Sequence, residues 1–267
     1  MNKFNAIISA VLLGSALWGA EGLTAGKAAD FTGSVRDLKD IRDVGGAVRI
    51  STKNPTFRIY TKKLTIDPAK KYKLSIEYRK VPGSKAEGRF YFGPSNFDAQ
   101  GREIGCDTLY PVVGSETVLA MPLKPGDRVV KIRDGSKWQA KYGRIAFYVK
   151  NDLSDLPNFD LLRFSAMKKT GYMWELTLYA PATKAVPEGT PVRNHLDGAS
   201  YRYILGNVVP GDQWKKAERV VSGFTRDNVP ERNTAWRLGG VSAALIIFAN
   251  GKELDLEIRN LKITPVE

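Results

Sequence analysis

The stretch Tyr72-Lys73-Leu74-Ser75-Ile76-Glu77-Tyr78-Arg79 decides the fold class. In an extended chain successive side chains point to opposite faces, so Tyr72, Leu74, Ile76 and Tyr78 share one side. Lys73, Ser75, Glu77 and Arg79 share the other. That alternation, with its aromatic and β-branched content, predicts a strand with one buried and one wet face. The wet face is mixed in sign and lacks aromatics, so the strand reads as scaffold.

Working outward, Ala47–Ile50, Thr56–Tyr60, Arg89–Phe92, Thr117–Met121, Val129–Ile132, Gly143–Lys150, Tyr172–Tyr179, Tyr201–Leu205, Trp214–Ser222, Val241–Phe248 and Leu254–Thr264 repeat the pattern with less regularity. Turn signals separate them: Asn54-Pro55, Asp67-Pro68, Pro82-Gly83, Asp98-Ala99-Gln100-Gly101, Gly126-Asp127, Asp134-Gly135 and Asn250-Gly251. Pro94 confines the strand around Phe90 and Phe92 to a sheet edge or a strand end. Leu254, Leu256 and Ile258 have opposite parity to Leu261 and Ile263, which predicts a bulge near Asn260. Asn151–Asp160 and Ala182–Gly198 read as loops. Helical periodicity is absent over any three turns. About a dozen strands with turns between them make an all-β, antiparallel β-sandwich of jelly-roll type.

The apolar run Ala6–Ala20 follows a basic start, Met1-Asn2-Lys3, and is too short for a confident membrane span. It reads as a signal peptide within 1–28, cleaved somewhere in 20–29, leaving a single β-sandwich domain over 29–267. The expected location is secreted, periplasmic or cell surface, with no membrane span. Losing 1–28 removes Lys3, Lys27 and Glu21, so the formal charge of +13 falls only by one. Such a balance favours polyanionic partners. The basic residues are dispersed, however, and no stacking pattern of a nucleic-acid binder is present, so no nucleic-acid partner is expected.

The chain has one cysteine, Cys106, and one histidine, His195. An internal disulfide and a zinc site of clustered Cys and His are therefore excluded. Cys106 reads as a small buried residue. No Gly-x-Ser-x-Gly elbow accompanies His195, and no carboxylate pair stands out for glycoside hydrolysis. A polysaccharide lyase could use His195 with Tyr201, but a histidine that orders its loop accounts for the same residues. No catalytic residue is assigned. Trp174 faces the core of its strand, and Trp138 and Trp214 sit at strand ends. Rings that could meet sugar faces, beside cations, are Trp236 with Arg237, Tyr201 and Tyr203, near Arg193 and His195. These six are the candidate ligand-binding residues, and they place function in the loops of the C-terminal half. No cofactor or metal is assigned. A structural calcium is compatible with a secreted sandwich, and Asp152, Asp155 and Asp160 form the densest acidic loop, but without known ligand spacing.

Several segments carry a resemblance: Tyr72-Lys-Leu-Ser-Ile-Glu-Tyr, Phe97-Asp-Ala-Gln-Gly, Gly126-Asp127 through Asp134-Gly-Ser-Lys-Trp138, Ser154-Asp-Leu-Pro-Asn158, Trp214-Lys-Lys and Leu256-Glu-Ile-Arg-Asn-Leu-Lys-Ile263. With them the chain resembles exported jelly-roll carbohydrate-binding modules of the galactose-binding-like type, and also sandwich modules of phage tail fibres. It lacks the Asn-Gly-x-Phe-Glu opening and is longer than such modules usually are. The resemblance implies glycan binding on a ring-lined face or loop rim, and often a structural calcium beside the last strand. The expected function is thus a non-catalytic, secreted binder of polysaccharide, with a preference for anionic chains. The alternatives are a lyase or hydrolase using His195 and Tyr201, or a structural or adhesion protein of the cell surface.

Overall fold

The structure, a computed structural model, describes residues 22–67, 69–198, 203–222 and 236–266. In chain order its strands are β1 (Leu23–Ala25), β2 (Phe31–Gly33), β3 (Ile41–Val44), β4 (Ala47–Thr52), β5 (Arg58–Thr61), β6 (Leu64–Thr65), β7 (Lys71–Lys80) and β8 (Arg89–Phe97). There follow β9 (Thr117–Val118), β10 (Val129–Ile132), β11 (Gly143–Phe147), β12 (Leu161–Thr170), β13 (Met173–Leu178) and β14 (Pro191–Leu196). The chain closes with β15 (Leu205–Val208), β16 (Lys215–Ser222), β17 (Ser242–Asn250) and β18 (Leu254–Val266). Among the described residues one short α-helix, α1 (Val35–Leu38), starts at Ser34, whose hydroxyl accepts the Asp37 N–H at 3.1 Å.

All strand pairs are antiparallel, as the alternation requires. One sheet has the order β16-β7-β18-β4-β3, with β1 added along β18; the facing sheet has the order β15-β8-β17-β5-β2, with β6 added along β17. The chain passes repeatedly from one sheet to the other, which is the jelly-roll arrangement. Tyr72, Leu74, Ile76 and Tyr78 are buried between the sheets, against Phe90, Phe92, Leu245, Ile247, Leu256 and Ile258. β7 lies inside its sheet, between β16 and β18. The bulge is also present: the β18–β7 register shifts between Arg259 and Lys262, where Asn260 takes φ 52°.

Strands β9 to β14 build a second core. β8 and β15 are antiparallel neighbours, so the segment between them is an insertion at the end of one ribbon of the roll. Its sheet order is β10-β13-β12-β11-β14-β9. The two ends meet, because Ala120 N–H donates to Lys131 O at 2.8 Å and Arg133 N–H to Val118 O at 3.0 Å. The sheet therefore closes on itself and leaves few edges. Its interior holds Leu119, Ile132, Trp138, Ile145, Phe147, Phe164, Leu176 and Val192, and the indole N–H of Trp138 donates to Ser115 O at 2.8 Å. A small third cluster of Ile104, Leu109 and Leu156, with Leu238 packed on it, joins barrel to sandwich. Gly239 passes so close there that an added Cβ would stand 2.9 Å from Pro157 Cδ.

Three expectations change. β12 was not expected, because its register shifts between Phe164 and Ala166 and the shift breaks the period-two pattern. Pro191–Leu196, expected in a loop, is β14, paired on both sides with β11 and β9. Its one aliphatic core residue, Val192, gave no alternation to read. Finally, β8 runs straight through Pro94, which is opposite Leu245 of β17. The strand tolerates proline there because its other neighbour, β15, pairs no further along than Phe92.

Candidate functional site

Five of the six expected ligand residues are among the described residues, and these five do not form one surface. Arg193 and His195 lie on β14, and both are fully buried. Opposite in parity to Val192, they point out of the barrel interior, where the 150–158 loop and the Asp107 segment cover them. Arg193 donates to Asp155 Oδ2 at 2.9 Å, to Lys150 O at 3.2 Å and to His195 Nε2 at 3.1 Å. His195 Nδ1 stands 2.7 Å from Asp107 O, so the proton is on Nδ1 and Nε2 accepts from arginine. Both ring nitrogens are thereby occupied, which removes His195 as an accessible base.

Burial, with the nearby Arg193 charge, lowers the His195 pKa to about 4, while the Asp107 carbonyl and Asp155 oppose the shift. In the unfolded chain a histidine titrates near 6.5. The unfolded state thus takes up a proton first as pH falls. The stabilising contribution is complete above about pH 6.5 and is lost at roughly 1.4 kcal/mol per pH unit between 6.5 and 4. We expect urea midpoints to fall over that window in the native protein and to fall less in His195→Gln. Equal slopes in the two proteins would show that His195 does not titrate this way.

Trp236 is buried in the sandwich core, where its ring meets Tyr72 edge-on at a centroid distance of 5.4 Å. Arg237 is buried beside it, and its backbone N–H donates to Asn96 Oδ1 at 3.3 Å. These two are core, not platform. Tyr201 lies outside the described residues. The acidic loop is occupied from within: Asp155 binds Arg193, Asp160 binds Lys184, and Asp152 Oδ1 accepts the Ser154 N–H at 3.0 Å. Where a calcium ion was conceivable, a guanidinium sits against Asp155.

Tyr203 is different. It is 45 % exposed, and its ring lies 5.2 Å from that of Tyr91. From there a row of aromatics crosses the outer face of the β15-β8-β17-β5-β2 sheet. On β8, Phe90 and Phe92 face the core and Tyr91 faces out; on β17, Ile247 faces the core and Phe248 faces out; on β5, Ile59 faces the core, and Arg58 and Tyr60 face out. Register places Tyr91 opposite Phe248 and Phe248 opposite Arg58. The Tyr91 and Phe248 centroids are 5.6 Å apart, and the Arg58 guanidinium lies 5.3 Å from the Phe248 ring.

Further along the same face the residues Gly93, Ser95 and Ala244 are small, and the surface deepens. A cleft of about 500 Å³ opens there, lined by Thr32, Tyr60, Lys63, Phe97, Glu103 and Ala244 among others. Tyr60 and Phe97 are 6.4 Å apart and nearly perpendicular, and Lys63 Nζ lies 3.8 Å from the Phe97 centroid. Polar groups hold the rings. Tyr91 Oη donates to Asn207 Oδ1 at 3.0 Å, Ser95 Oγ to Glu103 Oε1 at 2.8 Å, and Tyr60 Oη points to Glu103 Oε2 at 3.5 Å. Burial first, and then the Glu103 charge, raise the Tyr60 pKa, so its hydroxyl stays protonated and donates.

The sequence carried one signal for this face. In Phe90-Tyr91-Phe92 the middle ring must oppose its neighbours, and in Arg58-Ile59-Tyr60 the aromatic lies off the apolar parity. An aromatic on the wet side of a strand marks a binding face better than one in a loop.

No protein-family model and no curated protein matches the chain. Among solved structures, the CBM22-1 xylan-binding domain of Xyn10C from Paenibacillus barcinonensis aligns over 93 % of this chain and 94 % of that one, at 9 % identity and a TM-score of 0.30. None of these findings supports the likeness to tail-fibre modules.

Proposed function

We propose that the chain is an exported, non-catalytic glycan-binding module whose ligand lies across the outer face of the β15-β8-β17-β5-β2 sheet, and that it favours anionic polysaccharide. The observation that carries this reading is the aromatic row Tyr203, Tyr91 and Phe248, continued by the Tyr60–Phe97 cleft on the outer side of the same sheet. Flat rings fixed by hydrogen bonds offer apolar faces to pyranose rings at little entropic cost. Arg58, Lys62, Lys63 and Arg89 stand along this face, with Glu103 as its one carboxylate among the described cleft residues. That surplus of cations supports a preference for uronic or sulfated chains.

Binding is a better reading than hydrolysis or elimination. Glycoside hydrolysis needs two carboxylates across the bond, and the described cleft offers Glu103 alone. An elimination needs a base to remove a proton, and the raised pKa of Tyr60 makes its phenolate harder to form. Affinity electrophoresis against neutral, uronic and sulfated polysaccharides tests the proposal. We expect retardation that is strongest with acidic gels and weakens with salt. Free migration through every gel at low ionic strength would refute glycan binding, and unsaturated or reducing ends released from the same panel would refute the non-catalytic part. Co-purification of a protein partner with no glycan retained would favour the adhesion alternative.

Export belongs to the same proposal. β1 pairs with β18, Leu23 opposite Ile263, so processing upstream of Leu23 preserves a strand that cleavage after Ala28 would remove. A mature N-terminus found beyond Ala25 would contradict that placement.

A further inference from the structure

The outer face of the other sheet, β16-β7-β18-β4-β3, carries a second feature. Register aligns Arg42 of β3 with Arg49 of β4, Arg49 with Glu257 of β18, and Glu257 with Arg79 of β7. Three guanidiniums and one carboxylate thus form one row across four strands, at about 4.8 Å per strand. Glu257 is buried and saturated: Arg49 reaches Oε1 at 2.6 Å and Arg79 reaches Oε2 at 2.7 Å. The two arginines draw its pKa down against the effect of burial. Arg42 is exposed, forms no ion pair among the described residues, and sits directly opposite another arginine. Like charges in that position cost stability.

Ring contacts fix two guanidiniums of this face. Arg79 and Arg259 both stack on Trp214, at 4.6 and 4.1 Å from its ring, and Arg259 also bonds Glu77 at 2.8 Å. Lys216 is opposite Glu77, and Lys73 and Lys262 face outward on the same sheet. Glu77, Glu218, Glu257 and Asp255 are the carboxylates of this face, so cations outnumber them. The excess is also regional. Over the sandwich segments 22–67, 69–98, 203–222 and 236–266 there are 23 Lys and Arg against 13 Asp and Glu, but over 99–198 there are 14 against 11.

We propose that this face is a second binding surface, for the sulfate or carboxylate groups of an extended acidic polysaccharide. Arg42 offers a whole guanidinium fork to an oxyanion, Arg49 and Arg79 hold Glu257 through Nε and Nη2 and keep Nη1 for a further acceptor, and a row across strands suits a linear chain with regularly placed charges. No exposed apolar side chain lies within the row to insert into a lipid surface. With ring stacking on one face of the sandwich and charge on the other, a single molecule bridges two polysaccharide chains.

The test uses the full chain with dextran sulfate, polygalacturonate and neutral dextran as probes. Arg42→Glu removes a side chain with no ion-pair partner, so folding is expected to survive, and circular dichroism checks it. We expect Arg42→Glu to weaken dextran sulfate binding roughly fivefold to tenfold and Arg42→Lys to restore much of it. The comparison is repeated in Tyr91→Ala, which removes the aromatic face's own share of dextran sulfate binding, and the loss caused by Arg42→Glu is expected to persist there, so failure here and failure of the aromatic site are read separately. Native-strength dextran sulfate binding by Arg42→Glu would overturn the proposal. So would equally tight, Arg42-dependent retention of duplex DNA or anionic vesicles at the same ionic strength.

Discussion

Replacing Arg193 by alanine is expected to cost on the order of 3–5 kcal/mol of folding stability, the largest single effect in the barrel. Arg193 is completely buried, and its partner Asp155 has a side chain only 7 % exposed. Removing the guanidinium leaves that carboxylate with Asn158 Nδ2 and the Lys150 N–H, each at 3.0 Å, but with no countercharge. It also takes a donor from His195 Nε2 and from Lys150 O. Buried polar groups that lose partners are costly even where the intact pair contributes little net stability. The check is a urea titration read at constant slope, so that the midpoint shift reports stability alone. Arg193→Met combined with Asp155→Asn should recover part of the loss, because the stranded charge is then gone. A midpoint unchanged in Arg193→Ala would mean that the network does not anchor the 150–158 loop.

The second large effect concerns binding. Tyr91→Ala should weaken glycan binding by about tenfold to thirtyfold, in the range of a central aromatic anchor, with folding intact. Tyr91 touches Tyr203 on one side and Phe248 on the other, so its loss breaks the row at the middle. It is half-buried and on the outer face, hence the core is not opened. Arg58→Ala should behave differently. It removes charge while leaving Phe248 and Tyr60, so affinity for acidic chains should fall and affinity for neutral ones should change little. Isothermal titration with neutral and uronic oligosaccharides separates the two. Equal losses for both ligands in Arg58→Ala would argue that the arginine shapes the site and does not read charge. Unaltered affinity in Tyr91→Ala would remove the aromatic row from the site.

Much of the fold was legible. The period-two pattern of β7 and of the first part of β18 is strong because each buries one face, and burial imposes parity, whereas β17 is buried on both faces and was legible as a continuous apolar run. The bulge at Asn260 was visible because it reverses that parity. By contrast β14 was hidden. Its buried Arg193, Asn194 and His195 are satisfied by groups distant in sequence, such as Asp155 and Arg144 O, and no local pattern announces that. Trp236 was misplaced for the opposite reason. Its charged sequence neighbours suggested solvent, whereas the chain carries it into contact with Tyr72.

The sequence by itself determined the class: antiparallel strands, a strongly basic chain, and no disulfide or clustered Cys and His. These follow from periodicity and composition, which are local or global sums and need no partner. Only the tertiary structure decided that the chain builds two main cores, and which outward side chains of different strands come to lie side by side. The closure of the barrel depends on contacts such as Ala120 with Lys131, set by a chain path that no local pattern encodes. The candidate site depends on the same kind of juxtaposition. Tyr91, Phe248 and Arg58 are far apart along the chain and become neighbours only through strand register. For β7, the outward face read as scaffold in isolation. Beside β18, β4 and β3 it becomes one segment of a row of arginines, because a sheet adds in space what the sequence holds apart.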